Sequence, residues 1–131
     1  MSQENVEVLR AFFAAWNAGD MGALRELHDP SAIMHAPAGW PEPGPEIGRD
    51  AIMRQFERLR TAWEADWVEP IGDFIDAGDR ALVRLVWHTA GRGLRSHVEV
   101  THVATVREGK IVCNEYFWDH AEALKAVGLV E

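Results

Sequence analysis

Around Trp63 the hydrophobic period of this chain changes, and that change limits what it can fold into. Upstream, apolar residues recur at helical spacing; downstream, they alternate in short runs joined by tight turns. Asn5 to Ala18 carries Val6, Leu9, Phe13 and Trp16 on one stripe, widened by Phe12. Gly19 ends that helix, Asp20 caps a second through Leu27, and Pro30 stops it. Ser31–His35 reads as a short strand, and Asp50 to Trp63 as a third helix with Ile52, Phe56, Leu59 and Trp63 on one face. Then Trp67–Ile75, Arg80–Thr89, Arg95–Arg107 and Lys110–Trp118 read as four strands. They are joined at Ala77-Gly78-Asp79, at Gly91–Gly93 and at Glu108-Gly109. Asp119 stands three residues before Glu122, the spacing of a capping box, and Gly128 closes the short helix that follows.

Helices first and a meander of strands afterwards argue an α+β fold. A length of 131 residues fits a single domain, 1–131, with one sizeable core. The segment APAGWPEPGPEIG, from Ala36 to Gly48, is rich in Pro and Gly and reads as an irregular loop. Its one aromatic group is Trp40, expected as a plug over the core or a lid over a pocket.

Charge and composition exclude several functions. With 13 Lys+Arg against 21 Asp+Glu the net charge is −8, which disfavours a nucleic-acid partner. No run has the roughly 18 apolar residues that a membrane helix needs, and MSQENVEVLR lacks the basic flank and apolar core of a signal peptide. The single cysteine, Cys113, leaves no intrachain disulfide and no cysteine metal cluster, so a cytoplasmic protein is the plain expectation. The histidines show no HxH or HExxH spacing, so no metal is expected. Ser2, Ser31 and Ser96 have no GxSxG context, and Cys113 has no basic neighbour in sequence, which argues against a covalent nucleophile. Six tryptophans in so short a chain point to aromatic packing, in a core or around a small molecule.

Several segments together resemble a known family. They are the loop after His35, GRDAI at Gly48–Ile52, DAGD at Asp76–Asp79, REGKI at Arg107–Ile111 and DHAEALKAVGL at Asp119–Leu129. In this order they resemble the SnoaL-like families of the nuclear transport factor two-like superfamily, relatives of ketosteroid isomerase and the polyketide cyclases. The resemblance spans essentially the whole chain. It implies a cone: a curved, mostly antiparallel sheet wrapped by the N-terminal helices, with a short C-terminal helix. It also implies an internal ligand pocket and a homodimer. Members do unrelated chemistry in that pocket, so the fold does not name the reaction.

A two-residue turn at Glu108-Gly109 pairs Arg107 with Lys110, Val103 with Asn114, Thr101 with Tyr116 and Glu99 with Trp118. A pocket Asp of the polyketide cyclases and limonene epoxide hydrolase aligns with Tyr116, so the resemblance marks the Tyr116 face as the inside. A one-residue slip in register would reverse the assignment. A phenol in place of that Asp is a poor base near neutral pH but can donate a hydrogen bond to a developing oxyanion. If the Gly91–Gly93 turn pairs Arg84 with Thr101 and His88 with His97, Arg84 joins the same face.

The expected catalytic set is therefore His35, Glu99, Tyr116 and Arg84. The expected substrate-binding set is Trp16, Trp40, His88, Asn114 and Trp118. Each has a structural alternative: a backbone-bonded His35, an Arg84–Glu99 ion pair, a core hydroxyl for Tyr116, and helix-core packing for Trp16. His102 and Glu115 fall opposite each other on the other face, where a cross-strand pair at a dimer interface is expected. The function expected is proton transfer without a cofactor on an apolar, ring-containing or polyketide-like substrate. That means isomerisation, cyclisation or dehydration, with His35 or Glu99 moving the proton. The alternatives are a non-catalytic small-ligand-binding or accessory domain, and an interaction domain with a vestigial pocket.

Overall fold

The alternation after Trp63 becomes the larger part of one sheet, and the helices before it cover one face. The structure, a computed structural model, describes residues 2–42 and 44–129. Among the described residues the order is α1 (Ser2–Ala18), α2 (Met21–Glu26), β1 (His28–His35), β2 (Glu46–Ile47) and α3 (Arg49–Thr61). It continues with β3 (Ala65–Pro70), β4 (Ile75–Ala77), β5 (Arg80–Gly91), β6 (Leu94–Arg107), β7 (Lys110–Phe117) and α4 (His120–Ala126). The curved sheet runs β2-β1-β7-β6-β5-β3, with β4 also on β5. Pairing is antiparallel except where β1 runs parallel to β7. The stretch expected as one strand, Trp67–Ile75, is two strands, β3 and β4, and Glu46–Ile47 adds an edge strand inside the expected loop.

Both long hairpins close through two residues with positive φ: Arg92 (54°) with Gly93 (77°), and Glu108 (52°) with Gly109 (77°). That geometry matches the twist of the flanking strands. It sets β5 against β6 as expected, with Arg84 opposite Thr101 and His88 opposite His97.

The β6–β7 pairing departs from expectation. Arg107 faces Lys110 and Val106 faces Ile111, but Thr105 then faces Cys113, which leaves Val112 as an extra residue. Beyond this bulge His102 lies opposite Tyr116, Val103 opposite Glu115 and Thr101 opposite Phe117. The expected pairs of Val103 with Asn114 and Thr101 with Tyr116 do not form. A bulge shifts register by one, and with a side-chain period of two one residue is enough to change faces. On β6 the inward set is therefore Val98, Val100, His102, Ala104 and Val106, not Glu99, Thr101 and Val103.

Leu9, Phe12 and Phe13 of α1, Leu24 of α2, Ile52 and Phe56 of α3, and Val83 and Leu85 of β5 form the main core. The opposite face of the sheet is not bare. Ala123 of α4 packs on Leu82 and Val103, and Phe117, Leu124 and Val127 flank them in a second, smaller core. Part of the face expected to pair with a second copy is thus covered by the chain's own last helix.

That helix is held at both ends. Asp119 accepts from the Ala121 N–H at 2.9 Å. Gly128 (φ 80°) donates to the Lys125 carbonyl at 3.0 Å and Leu129 to the Leu124 carbonyl at 2.9 Å, a Schellman closure. Asp119→Ala removes the cap and should lower the unfolding free energy by about 1 kcal/mol. Urea denaturation should show a lower midpoint at unchanged slope.

Candidate functional site

Between α1, α3 and the inward face of β5, β6 and β7 lies a cavity of about 120 Å³, roofed by the start of the Pro-rich loop. One water needs only about 10–15 Å³ by a comparable measure, so the space suits a small molecule. Its walls are aromatic: Phe12, Phe13, Trp16, Phe56 and Trp87, with Trp40 from the loop. The polar side chains in the lining are Gln55, His102 and Tyr116.

A buried carboxylate arranges one wall. Asp66, its side chain 4% exposed, accepts from the indole N–H of Trp16 at 2.7 Å and of Trp87 at 2.8 Å. Both indoles turn their polar edge to Asp66 and leave hydrocarbon for the cavity. Arg60 stands 3.9 Å from the same carboxylate, donates to the Trp16 carbonyl at 2.7 Å and covers the Trp16 ring. The charges near this wall are thereby spent on one another and on the indoles.

The mouth is tied down from two sides. Trp118 donates through Nε1 to the Ala38 carbonyl at 2.6 Å, and its ring lies 6.2 Å from that of Trp40. Gln55 donates to Glu42 at 2.9 Å and accepts from Arg58.

At the floor three polar residues, all fully buried, form a relay: His28, Asn114 and His102. Its direction follows from one carbonyl. The Leu24 oxygen can only accept, so His28 Nδ1, 2.7 Å away, carries a hydrogen and donates. Neutral His28 then has a bare Nε2, which accepts from the Asn114 amide nitrogen at 2.9 Å. The Asn114 oxygen is left to accept from His102 Nε2 at 2.7 Å. His102 Nδ1 is consequently an unprotonated lone pair, buried and without a hydrogen-bond partner among the described residues. The imidazole is held between Tyr116, stacked at 4.5 Å, and the edge-on ring of Phe12 at 4.9 Å.

Burial pushes the His102 pKa down to about 4, opposed by the bond to Asn114 and aided by His28 nearby. His28 is lowered as well, by burial first, against the bond to the Leu24 carbonyl. Both rings are neutral at pH 7, as the relay requires. Burial raises the Tyr116 pKa, so its phenol stays protonated and able to donate.

Of the residues expected from sequence, Trp16, Trp40 and Tyr116 line the cavity, and Asn114 stands behind it as the centre of the relay. The others lie elsewhere. His35 is exposed at the end of β1, where its neighbour Met34 points inward. Arg84 and Glu99 form an ion pair at 2.7 Å on the opposite face of the sheet. His88 is there too, bonded to Glu69 at 2.8 Å and stacked on Trp67. The reason is the period of two: Leu85 and Trp87 take the inward positions of β5, and the Val112 bulge turns Glu99 outward. Trp118 is 44% exposed and holds the loop rather than lining the cavity. The expected His102–Glu115 pair is absent, because Val103 faces Glu115. Sequence reasoning missed His102 and His28 as site residues. A usable signal was the apolar stripe Val98, Val100, Ala104 and Val106, in which His102 is the polar exception. Among the described residues no group of three His, Cys, Asp or Glu side chains is placed to hold a metal.

The chain matches the SnoaL-like domain over residues 9–114. Among solved structures, Bal32a from a soil-derived mobile gene cassette superposes with a TM-score of 0.80 at 26% identity, over 88% of each chain. A proposed polyketide cyclase from Sinorhizobium meliloti superposes at 0.72 with 27% identity, over 88% of this chain and 98% of its own. TerC, co-crystallised with polyporic acid, superposes at 0.77 with 22% identity, over 95% of this chain and 98% of its own. No curated protein matches the sequence.

The relay makes stability depend on pH in a definite direction. His102 has a folded pKa of about 4 against an ordinary histidine value of 6.5. Above the unfolded value the ring is neutral in both states and the stability is intact. As pH falls below it, the unfolded chain takes up a proton that the folded chain refuses. The loss should be roughly 2 kcal/mol between pH 6.5 and 5, with His28 adding in the same direction. Urea unfolding across this window should show that fall, and His102→Leu should flatten the slope by about one proton.

Proposed function

This chain belongs to the SnoaL-like family, and from that premise we propose that it is a cofactor-independent enzyme moving a proton on an apolar, ring-containing or polyketide-like substrate held in the cavity. The carrying observation is the bare Nδ1 of His102, oriented by Asn114 beside the protonated phenol of Tyr116. In this reading His102 takes the proton and Tyr116 donates to the oxygen on which charge develops. The aromatic walls exclude water from the exchange. A lone imidazolium is disfavoured at this depth, so the proton moves as the oxyanion forms beside it and the two charges offset each other. The base role considered for His35 and Glu99 passes to His102, because those two stand outside the cavity. Isomerisation, cyclisation and dehydration all share this step.

A small-molecule function is supported by the relatives: TerC was co-crystallised with polyporic acid, and the Sinorhizobium meliloti protein is a proposed polyketide cyclase. We further propose a homodimer through the part of the outer face that α4 leaves open, where Trp67 is 45% exposed beside His88. The second reading, a binding module without turnover, is favoured by the same His102 pKa of about 4, which makes the ring a weak base.

Thermal unfolding against steroids, aromatic polyketides and cyclic enones, with each hit followed for conversion, separates the two. The enzyme reading expects conversion whose kcat falls by about 10²–10⁴-fold in His102→Gln with less change in KM. Tyr116→Phe should also lower kcat. A ligand that raises the melting temperature and remains unchanged over long incubation would establish the binding module instead.

A further inference from the structure

The relay does more than position a base: it decides which hydrogen-bonding partner the cavity can accept. For His102 to offer Nδ1–H instead of a lone pair, its Nε2 would have to give up hydrogen and the Asn114 amide would have to turn over. His28 Nε2 would then need the hydrogen, leaving a bare Nδ1 facing the Leu24 carbonyl at 2.7 Å. Two acceptors would meet in a fully buried place, and one hydrogen bond would be lost. The opposite tautomer is therefore closed off by a backbone oxygen at the far end of the relay.

The remaining polar lining does not offset an unmatched lone pair at His102 Nδ1: a donor at Tyr116 serves a ligand oxygen, but only a ligand hydroxyl also gives Nδ1 a hydrogen. Gln55 is engaged by Glu42 and Arg58, and Tyr116 contributes a protonated phenol. Among the described residues no charged side chain lines the cavity: Asp66 and Arg60 stand behind the indoles, with the carboxylate turned to the two indole N–H groups. An anionic ligand would lose its hydration without a countercharge, whereas a flat neutral ring meets aromatic walls.

We propose that the His28–Asn114–His102 relay makes this cavity selective for uncharged ring compounds bearing a hydroxyl donor, phenols and enols, over analogues carrying only an acceptor or a carboxylate at that place. His102 Nδ1 accepts the ligand hydroxyl, and His28 and Asn114 act as positioning residues that hold the accepting tautomer. This deepens the proposed function, since it rests on reading the cavity as a small-molecule site, but it concerns binding and not turnover.

The test uses three inert probes on the full chain at neutral pH: 2-naphthol, 2-methoxynaphthalene and 2-naphthoate, with dissociation constants from calorimetry. The proposal expects 2-naphthol to bind at least about tenfold more tightly than the methyl ether, the size of one net hydrogen bond. Naphthoate should bind more weakly than either. In His102→Phe the preference for naphthol over the ether should fall to within about twofold. Should that variant not fold, ¹⁵N chemical shifts of the wild-type imidazoles give an independent reading. They should show His102 protonated on Nε2 and bare on Nδ1, with the Nδ1 signal moving on addition of 2-naphthol and not of the ether. Equal affinities for naphthol and ether, no binding of naphthol, or a His102 protonated on Nδ1 would overturn the proposal. Because the probes are not converted, discrimination without turnover of any substrate would leave this inference standing and count against the enzyme reading.

Discussion

One extra residue in the last strand, Val112, sets the identity of the site. Before it, Ile111 faces the main core and stands beside His28 on the parallel strand; after it, Asn114 and Tyr116 face the same way. Without the bulge, strict alternation would put Ile111 and Asn114 on opposite faces of β7. With it, Asn114 comes within reach of both His28 on one neighbouring strand and His102 on the other. The same step carries Glu99 and Thr101 to the far face, where Glu99 meets Arg84 and Thr101 meets His120. Bulges often occur next to active sites because they aim side chains anew, and this one does so for a whole hairpin.

Most of the polar side chains around the cavity are satisfied by something fixed, whereas His102 Nδ1 is buried with no hydrogen-bond partner among the described residues. The Trp16 and Trp87 indoles are matched to Asp66, Gln55 to Glu42 and Arg58, and His28 to a carbonyl. A buried acceptor left unpaired costs on the order of 1–3 kcal/mol, so it marks a place where stability has been given up. The pKa of His102 records the same fact, since burial disfavours its charged form and a single neutral partner does not restore it. A neutral imidazole with a directed lone pair is a good acceptor at neutral pH, and it becomes an effective base only when a negative charge forms beside it.

The loop over the mouth shows how tertiary contacts organise a segment without regular structure. Trp40 was expected as a plug or a lid, and it is part of the cavity wall, with Trp118 from the end of the sheet bonded to Ala38 two residues earlier. The two tryptophans thus divide their work, one toward the cavity and one toward the loop backbone. Asn17 ties the end of α1 to Val68 of β3, a lining residue, by two hydrogen bonds, 2.9 and 2.8 Å.

The helices, the strands from Arg80 onward, both positive-φ hairpin turns and the caps at Asp20, Asp119 and Gly128 were legible in the sequence. Each depends on a local period or on the chemistry of one residue. Pairing of Arg84 with Thr101 and of His88 with His97 was legible too, because a two-residue turn sets register at once. What lay beyond local reading was the bulge at Val112: nothing in KIVCNEYF distinguishes a strand with an extra residue from one without. That single uncertainty put Glu99 inside and His102 outside, although the apolar stripe around His102 pointed the other way. The sequence by itself determined the fold class, the aromatic character of the interior and the candidacy of Trp16, Trp40 and Tyr116. Only the tertiary structure decided that His28, Asn114 and His102 meet, because His28 comes from a strand 86 residues before Asn114 and the bulge sets which β7 residue reaches His102. The direction of their hydrogen bonds depends on one carbonyl, that of Leu24, at the end of a helix.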